Sequence, residues 1–289
     1  MKDSFSLQQL EALQAVAAEG TTAKAAARLR VTQSAVSKRV AALEVAVGGV
    51  LLEPHGRGVR LTPAAKRLLE SASPLLASLR DVVASVARSD ERAPLRVAAS
   101  ESLLASWLPR AIAAASRRAR VPVELHAHRG PVVIERVRSG DYALAICVDA
   151  GAEKDLARRD LLDERMVVVP NAMEAARDGE PLRVLAIEER SLTWQAIAPR
   201  LRSTKRPVEP RMEVVGRMES FTALVQVAKA GLGAALVPEG VALAMGVSSR
   251  ELIAVRGLTR PIAAFARRTT LRATPTAAWL DALAEEVSD

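Results

Sequence analysis

The chain has 289 residues, 41 Lys/Arg against 33 Asp/Glu for a formal charge of +8, and 49% apolar side chains. That is long enough for two domains or more and their cores. No stretch approaches the roughly 18 uncharged apolar residues of a membrane span. Residues 1–14 lack the apolar core of a signal peptide. A single cysteine, Cys147, excludes an internal disulfide framework and agrees with a reducing cytoplasm.

The first predicted element covers residues 6–18, where Leu7, Leu10, Leu13 and Ala17 share one helical side and Ser6 with Gln9 forms a capping box. Two short helices follow within Gly20–Glu44. Ala23, Ala25, Ala26 and Leu29 give the first a small apolar face, and Arg30-Val31-Thr32 breaks it. Val36, Val40 and Leu43 recur by four and three along the second, with Thr32 placed as its N-cap. Its opposite face carries Gln33, Ser34, Ser37, Lys38 and Ala41, with Arg39 adjoining. Small and amide side chains let a helix sink into a groove while Lys38 and Arg39 reach phosphates, the requirements of a helix-turn-helix. An ordinary helical hairpin with a solvated face is the blander alternative.

Leu51-Leu52 and Val59–Leu61 then read as the strands of a hairpin, a wing, with Arg57 and Arg60 at or near a tip bounded by Gly56 and Gly58. An arginine on such a hairpin can enter a narrow minor groove. Nine basic residues against three acidic lie between Gly20 and Glu70, a local excess of six that leaves two for the rest of the chain. So concentrated a field suits a polyanion; nucleic acid is favoured over a membrane surface, because large apolar anchors are missing.

Thr62-Pro63 opens a long helix. Ala65, Leu68, Ala72, Leu75, Leu79, Val82 and Val86 form a heptad seam flanked by Leu69, Leu76 and Val83, so a homodimer is expected. Pro74 predicts a kink, or a second helix recapped by Ser73. Ser89–Pro94 reads as a hinge. Beyond it strands (95–99, 122–128, 142–148, 166–170, 182–187, 212–215, 234–237, 261–266) alternate with helices (103–119, 131–139, 193–203, 219–230) before a last helix opened by Thr274-Pro275. Such alternation predicts parallel βαβ units in two lobes flanking a cleft, ligands meeting strand C-termini and helix N-termini.

The run LQQLEALQAVAAEGTTAKAAARLRVTQSAVSKRVAALEVAVGGVLLEPHGRGVRLTPAAKRLL resembles, element by element, the N-terminal motif of the LysR-type transcriptional regulator family, and ESFTALVQVAKAGLGAALVPEGVA resembles its effector-domain signature. The resemblance spans essentially the whole chain. It implies an N-terminal all-α winged helix-turn-helix (1–62), a linker helix and hinge (63–92), and a two-lobed α/β, periplasmic-binding-protein-like effector domain (93–289). Lobe I would hold about 93–163 and 265–289, lobe II about 164–264. The implied function is a cytoplasmic regulator, not an enzyme. It would bind double-stranded DNA as a homodimer or homotetramer, a dimer of dimers, and answer to a small polar metabolite. The implied DNA contacts are Thr32, Gln33, Ser34, Ser37, Lys38, Arg39, Arg57 and Arg60. The implied effector contacts are Ser100, Glu101, Ser102, Cys147 at a strand end, Ser191, Thr193, Met218, Glu219 and Ser220. Glu101, between two serines, hints at a cationic or amphoteric effector.

Departures from the family pattern are Thr22, which predicts a looser contact between the two helices, Gly49, Pro54, Ala65, Pro74 and the short segment 171–181. No P-loop, dinucleotide fingerprint or nucleophile elbow occurs; Gly231-Leu232-Gly233 lacks a third glycine and precedes a strand. His126 and His128 share a strand face but lack partners at ligand spacing, so no metal and no cofactor is expected. Cys147 reads as a core residue rather than a redox sensor, and Met166, Met212 and Met218 as packing. The competing class is a metabolite-binding protein or enzyme with an incidental helix-turn-helix.

Overall fold

The computed structural model describes residues 5–56, 58–87, 94–151, 153, 155–171, 180–203, 205, 208–271 and 273–288. They form two compact units, residues 1–84 and 85–289. Arg57, the hinge at 88–93 and most of the segment 171–181 lie outside the described residues.

In the first unit, helix α1 (Leu7–Glu19) starts with the expected capping box, Ser6 and Gln9 each bonding the other's backbone amide. Helix α2 (Thr22–Leu29) buries Ala25 and Ala26, whereas Ala23, expected on the same face, is exposed. Eight residues make barely two turns, and only the stripe three and four apart reaches α1. The chain turns into helix α3 (Gln33–Val47) through Arg30 at φ 55°. Thr32 caps α3 by accepting from the Ala35 amide, and Val36, Val40 and Leu43 are buried against Leu10, Leu13 and Val16. Each such side chain contributes roughly 1.5–3 kcal/mol by leaving water.

Glu44, one turn from the end of α3, accepts the amides of Leu51 and Leu52 and so fixes where strand β1 (Leu52–His55) begins. Strand β2 (Gly58–Leu61) returns antiparallel to it. Helix α4 (Pro63–Ala87) is a single element through Pro74, not two helices. Thr62 caps it through the Ala65 amide and donates to the Val50 carbonyl. Its expected seam divides. Ala65, Leu69, Ala72 and Leu76 are buried in the unit's own core, while Leu75, Leu79 and Val83 stand 71%, 47% and 62% exposed. A helix drifts off an exact heptad, so an apolar band this wide offers two stripes, one taken within the unit and one left outward. The side chains of Val82 and Val86 lie outside the described set.

The second unit is built on one eight-stranded sheet, ordered β4-β3-β5-β10-β6-β9-β7-β8. Lobe I comprises β3 (Leu95–Ser100), α5 (Glu101–Leu104), α6 (Leu108–Ala119), β4 (Val123–His128), α7 (Gly130–Arg138) and β5 (Leu144–Val148). Strand β6 (Ala157–Val169) crosses to lobe II, with β7 (Leu182–Ile187), α8 (Leu192–Leu201), β8 (Met212–Met218), α9 (Phe221–Lys229), β9 (Ala234–Pro238) and α10 (Glu239–Ala244). Strand β10 (Ile253–Ala266) crosses back to α11 (Arg268–Leu271) and α12 (Thr274–Ser288). Within the lobes β3 runs parallel to β4 and β5, and β7 to β8 and β9. The crossing strands are antiparallel to each other from Ile253↔Val168 to Ala266↔Ala157.

Both crossing strands are longer than expected, starting at Ala157 and Ile253 instead of 166 and 261. Helix 103–119 is two helices, and α10 had no sequence signal. Two apolar cores result, one centred on β3, β5, Phe265 and Trp279, the other on β6, β9, Leu224 and Val241. Met166 is fully buried, and Met212 and Met218 pack on the second core, as packing residues should. Among the described residues no helix is long and apolar enough to cross a membrane.

Candidate functional site

The outward face of α3 presents Gln33, Ser34, Ser37 and Lys38 to solvent, with Thr32 exposed at its cap and Arg39 partly covered. Thr32 and Ser34 hydroxyls bond each other at 3.1 Å. The Gln33 side-chain amide donates to Thr22 Oγ1 at 3.0 Å, so Thr22 links α2 to α3 where a looser contact was expected. Gln33 keeps its amide oxygen as an acceptor. In the wing, Arg60 pairs with Glu53 across the hairpin at 3.0 Å, an exposed pair worth about 0–1 kcal/mol that a phosphate can displace. Arg57 lies outside the described residues.

Gly58 allows the wing to sit where it does. A Cβ there would stand 2.6 Å from the Gly20 carbonyl oxygen, the same oxygen that accepts from the Val59 amide at 3.1 Å. The hairpin is thereby pinned to the turn between α1 and α2.

In the second unit a cavity of about 340 Å³ opens between the lobes. Its wall is assembled from the segments that follow β3, β4, β7 and β8, with Val148 at the end of β5, all carboxyl ends of parallel strands. Ser100, Glu101, Ser102, Ser191, Thr193, Glu219 and Ser220, all expected there, line it. Cys147 and Met218 do not. In strand β5 the side chains alternate, so Val148 takes the cavity position and Cys147 is fully enclosed in the lobe I core. Burial, with Glu153 and Asp149 nearby, pushes its thiol well above the usual range, which keeps it protonated and unreactive. Met218 ends β8 on the core side.

The floor of this cleft depends on two residues without sequence signal. Arg260 of β10 is completely buried, and its Nε and Nη2 both donate to Glu164 Oε2 of β6, at 2.9 and 2.7 Å. Burial pulls the guanidinium below its usual range, and the Glu164 carboxylate opposes that shift. Arg260 Nη1 donates to Ser102 Oγ and to Thr193 Oγ1, both at 3.1 Å, and the guanidinium stands 5.5 Å from the Phe221 ring centre. One cation thus ties the segment after β3 to the start of α8. Glycines permit the approach: a Cβ on Gly130 would meet Leu192 at 2.8 Å, and one on Gly240 would meet Glu164 Oε1 at 2.7 Å.

At the mouth, Arg129 of lobe I forms ion pairs with Glu188 and Glu219 of lobe II. Glu101 and Arg190 line the cavity with no ion pair or side-chain hydrogen bond among the described residues.

His126 and His128 do share a face of β4: His126 bonds Glu124 at 2.6 Å, His128 bonds the Tyr142 hydroxyl at 2.8 Å, and both rings lie against Tyr142. Among the described residues no group of three or more metal-ligating side chains forms.

Residues 7–66 match the family described as bacterial regulatory helix-turn-helix protein, lysR family, and residues 88–288 match the LysR substrate binding domain. An uncharacterized HTH-type transcriptional regulator of Vibrio cholerae is 29% identical over 97% of this chain and 96% of its own length. The HTH-type transcriptional regulator TrpI of Pseudomonas aeruginosa is 30% identical over 82% of each chain. The crystal structure of ArgP from Mycobacterium tuberculosis shares the fold with a TM-score of 0.66 at 21% identity, covering 99% of this chain and 98% of that one.

Proposed function

The chain belongs to the LysR family of transcriptional regulators, and from that premise we propose that it binds promoter DNA through α3 and senses a small polar molecule in the cleft of its second unit. The observation that carries this is the two-sidedness of α3: Val36, Val40 and Leu43 anchor one side while Gln33, Ser34 and Ser37 are exposed on the other, flanked by Lys38 and Arg39. On DNA, Gln33, Ser34 and Ser37 face base edges in the major groove. Thr32, Lys38, Arg39 and the wing residues Arg57 and Arg60 meet phosphates. Uncharged side chains bias sequence; the basic ones supply most of the affinity.

The outward stripe of α4, Leu75, Leu79 and Val83, suits a second copy of the same helix, so the protein acts as a homodimer and pairs further into a dimer of dimers. Ser100, Glu101, Ser102, Ser191, Thr193, Glu219 and Ser220 surround the effector, whose differential affinity shifts the assembly between states that bend DNA differently. Charge and composition suit a cytoplasmic protein.

Fluorescence anisotropy with the DNA upstream of the protein's own gene tests this across a salt series. Arg39→Ala should weaken binding to every sequence and reduce the log–log salt slope by about one, whereas changes at Ser37 should redistribute preference among sequences. Unchanged affinity and slope in Arg39→Ala would show that α3 does not dock in this way.

A further inference from the structure

Resting on that assignment of the cleft, we propose that its ligand is amphoteric, a small amino-acid-like zwitterion whose carboxylate is held by the floor hydroxyls of Ser102, Thr193 and Ser100 and whose ammonium is held by Glu101.

The polarity of the floor is dictated by Arg260. A hydroxyl has one proton to give and lone pairs to receive, and a guanidinium only gives. Because Arg260 Nη1 donates to both Ser102 Oγ and Thr193 Oγ1, neither hydroxyl can send its proton toward Arg260. Each proton is left to point elsewhere, and the cavity that both residues line is within its reach. The pair with Glu164 at 2.7 Å holds Arg260 in one orientation, so both oxygens stay engaged as acceptors and their protons stay available to a ligand.

Ser100 adds a third donor. It is 8% exposed, lines the same cavity, makes no capping bond at the start of α5 and has no side-chain partner among the described residues. Its hydroxyl is not sealed off from the cavity, so it is available to donate to a ligand acceptor. Helices α8 and α9, ten and nine residues long, also start at this wall with their positive ends toward the cavity. Three convergent donors and two helix ends call for an anionic acceptor with two oxygens.

The rim asks for the opposite charge. Of the three carboxylates lining the cavity, Glu188 and Glu219 are already held by Arg129. Glu101 is exposed, unpaired and sits between Ser100 and Ser102, so a carboxylate bound at the floor brings its α-substituent next to it. A plain carboxylate would place two like charges side by side. A plain amine would leave the floor donors unanswered. A molecule carrying both groups answers the floor donors and Glu101 together, and Arg190, which also lines the cavity, adds a cation for its carboxylate. The cavity, about 340 Å³, lies at the small end of the ~300–1,000 Å³ typical of ligand pockets and suits a single amino acid rather than a nucleotide.

The test uses the full chain and matched triplets of probes: alanine, leucine and phenylalanine, each beside its deaminated acid (propionate, 4-methylpentanoate, 3-phenylpropionate) and its decarboxylated amine (ethylamine, isopentylamine, phenethylamine). Thermal shift ranks them and calorimetry measures affinity. At least one amino acid should raise the melting temperature and bind roughly tenfold or more above both of its counterparts. Glu101→Gln, an exposed change that leaves the core untouched, should erase most of the advantage over the deaminated acid. Thr193→Ser, which keeps the hydroxyl, should preserve binding, and Thr193→Val should lose it. The proposal is overturned if the acids or the amines bind as well as the amino acids, if Glu101→Gln leaves the ratio unchanged, or if no triplet produces a shift. Promoter binding measured without ligand stands apart: its loss would sink the regulator assignment, whereas intact promoter binding with no zwitterion preference would sink this proposal alone.

Discussion

The polar face of α3 and the polar floor of the cleft use much the same side chains, serines and threonines beside arginine, yet they are held in opposite ways. On α3 every bond is made locally: Thr32 to Ser34 two residues on, Thr32 to the Ala35 amide three on, Gln33 to Thr22 eleven back. In the cleft, Arg260 reaches residues 67, 96 and 158 positions away. The face proposed to meet DNA can therefore change a residue at little expense to the fold. The cleft floor cannot, because Ser102 and Thr193 also satisfy a buried cation.

Breaking the cleft side should have the largest effect. Glu164→Ala leaves Arg260 buried without its counter-ion and should cost about 3–5 kcal/mol of unfolding free energy, measured by urea denaturation of the second unit's transition. The double replacement Glu164→Leu with Arg260→Met should recover most of that loss, since an ion pair swapped for apolar groups is often neutral; no recovery would mean that the pair is not the cause. Next comes Gly58→Ala in the wing. Its methyl would press on the Gly20 carbonyl at 2.6 Å and should cost about 1–3 kcal/mol in a thermal melt of the first unit.

On α3 the same kind of change is milder. Thr32→Ala removes one N-cap and should cost about 1 kcal/mol, with far-UV circular dichroism showing the helix retained. Losses as large as those at Glu164 would erase the contrast between the two faces. The smallest effect concerns pH. Burial, then the neighbouring Arg136 and His126 charges, lowers the His128 pKa from 6.5. The unfolded chain then takes up a proton before the folded one, so stability present above pH 6.5 is lost as pH falls toward the folded value. His128→Asn should flatten that segment of the stability curve, and NMR titration of the wild-type ring should give a midpoint below 6.5; a higher midpoint would reverse the sign.

The same contrast decided what the sequence disclosed. Ser6 with Gln9, Thr32 and Thr62 are caps, whose donors and acceptors sit three residues apart, and they could be read directly. Val36, Val40 and Leu43 follow a helical period for the same reason. The first halves of β6 and β10 could not be read, because ARRDLLDER and IAVRGLTR alternate charge with little apolar period and owe their strand form to each other across the sheet. Arg260 and Glu164 carried no signal at all: each looks like one more surface charge until the strands pair. Cys147 was misplaced by a single position of strand parity, since its neighbour Val148 is the residue that reaches the cavity. On α4 the apolar residues were recognised, but which stripe faced inward depended on where α1 lay, with Gln14 meeting Ser73 at 3.4 Å.

The pin between Val59 and Gly20 has a metrical consequence. Because a missing side chain at Gly58 lets the hairpin seat directly on the turn between α1 and α2, the wing and α3 behave as two arms of one caliper with a fixed gap. A caliper measures rather than adapts. If α3 docks in a major groove as proposed, the pair would register the distance to the adjoining minor groove, so an over- or underwound site would be rejected even where the bases facing α3 are right. Selection of that kind is paid in DNA shape, and it would persist in a chain whose α3 had been made blind to sequence.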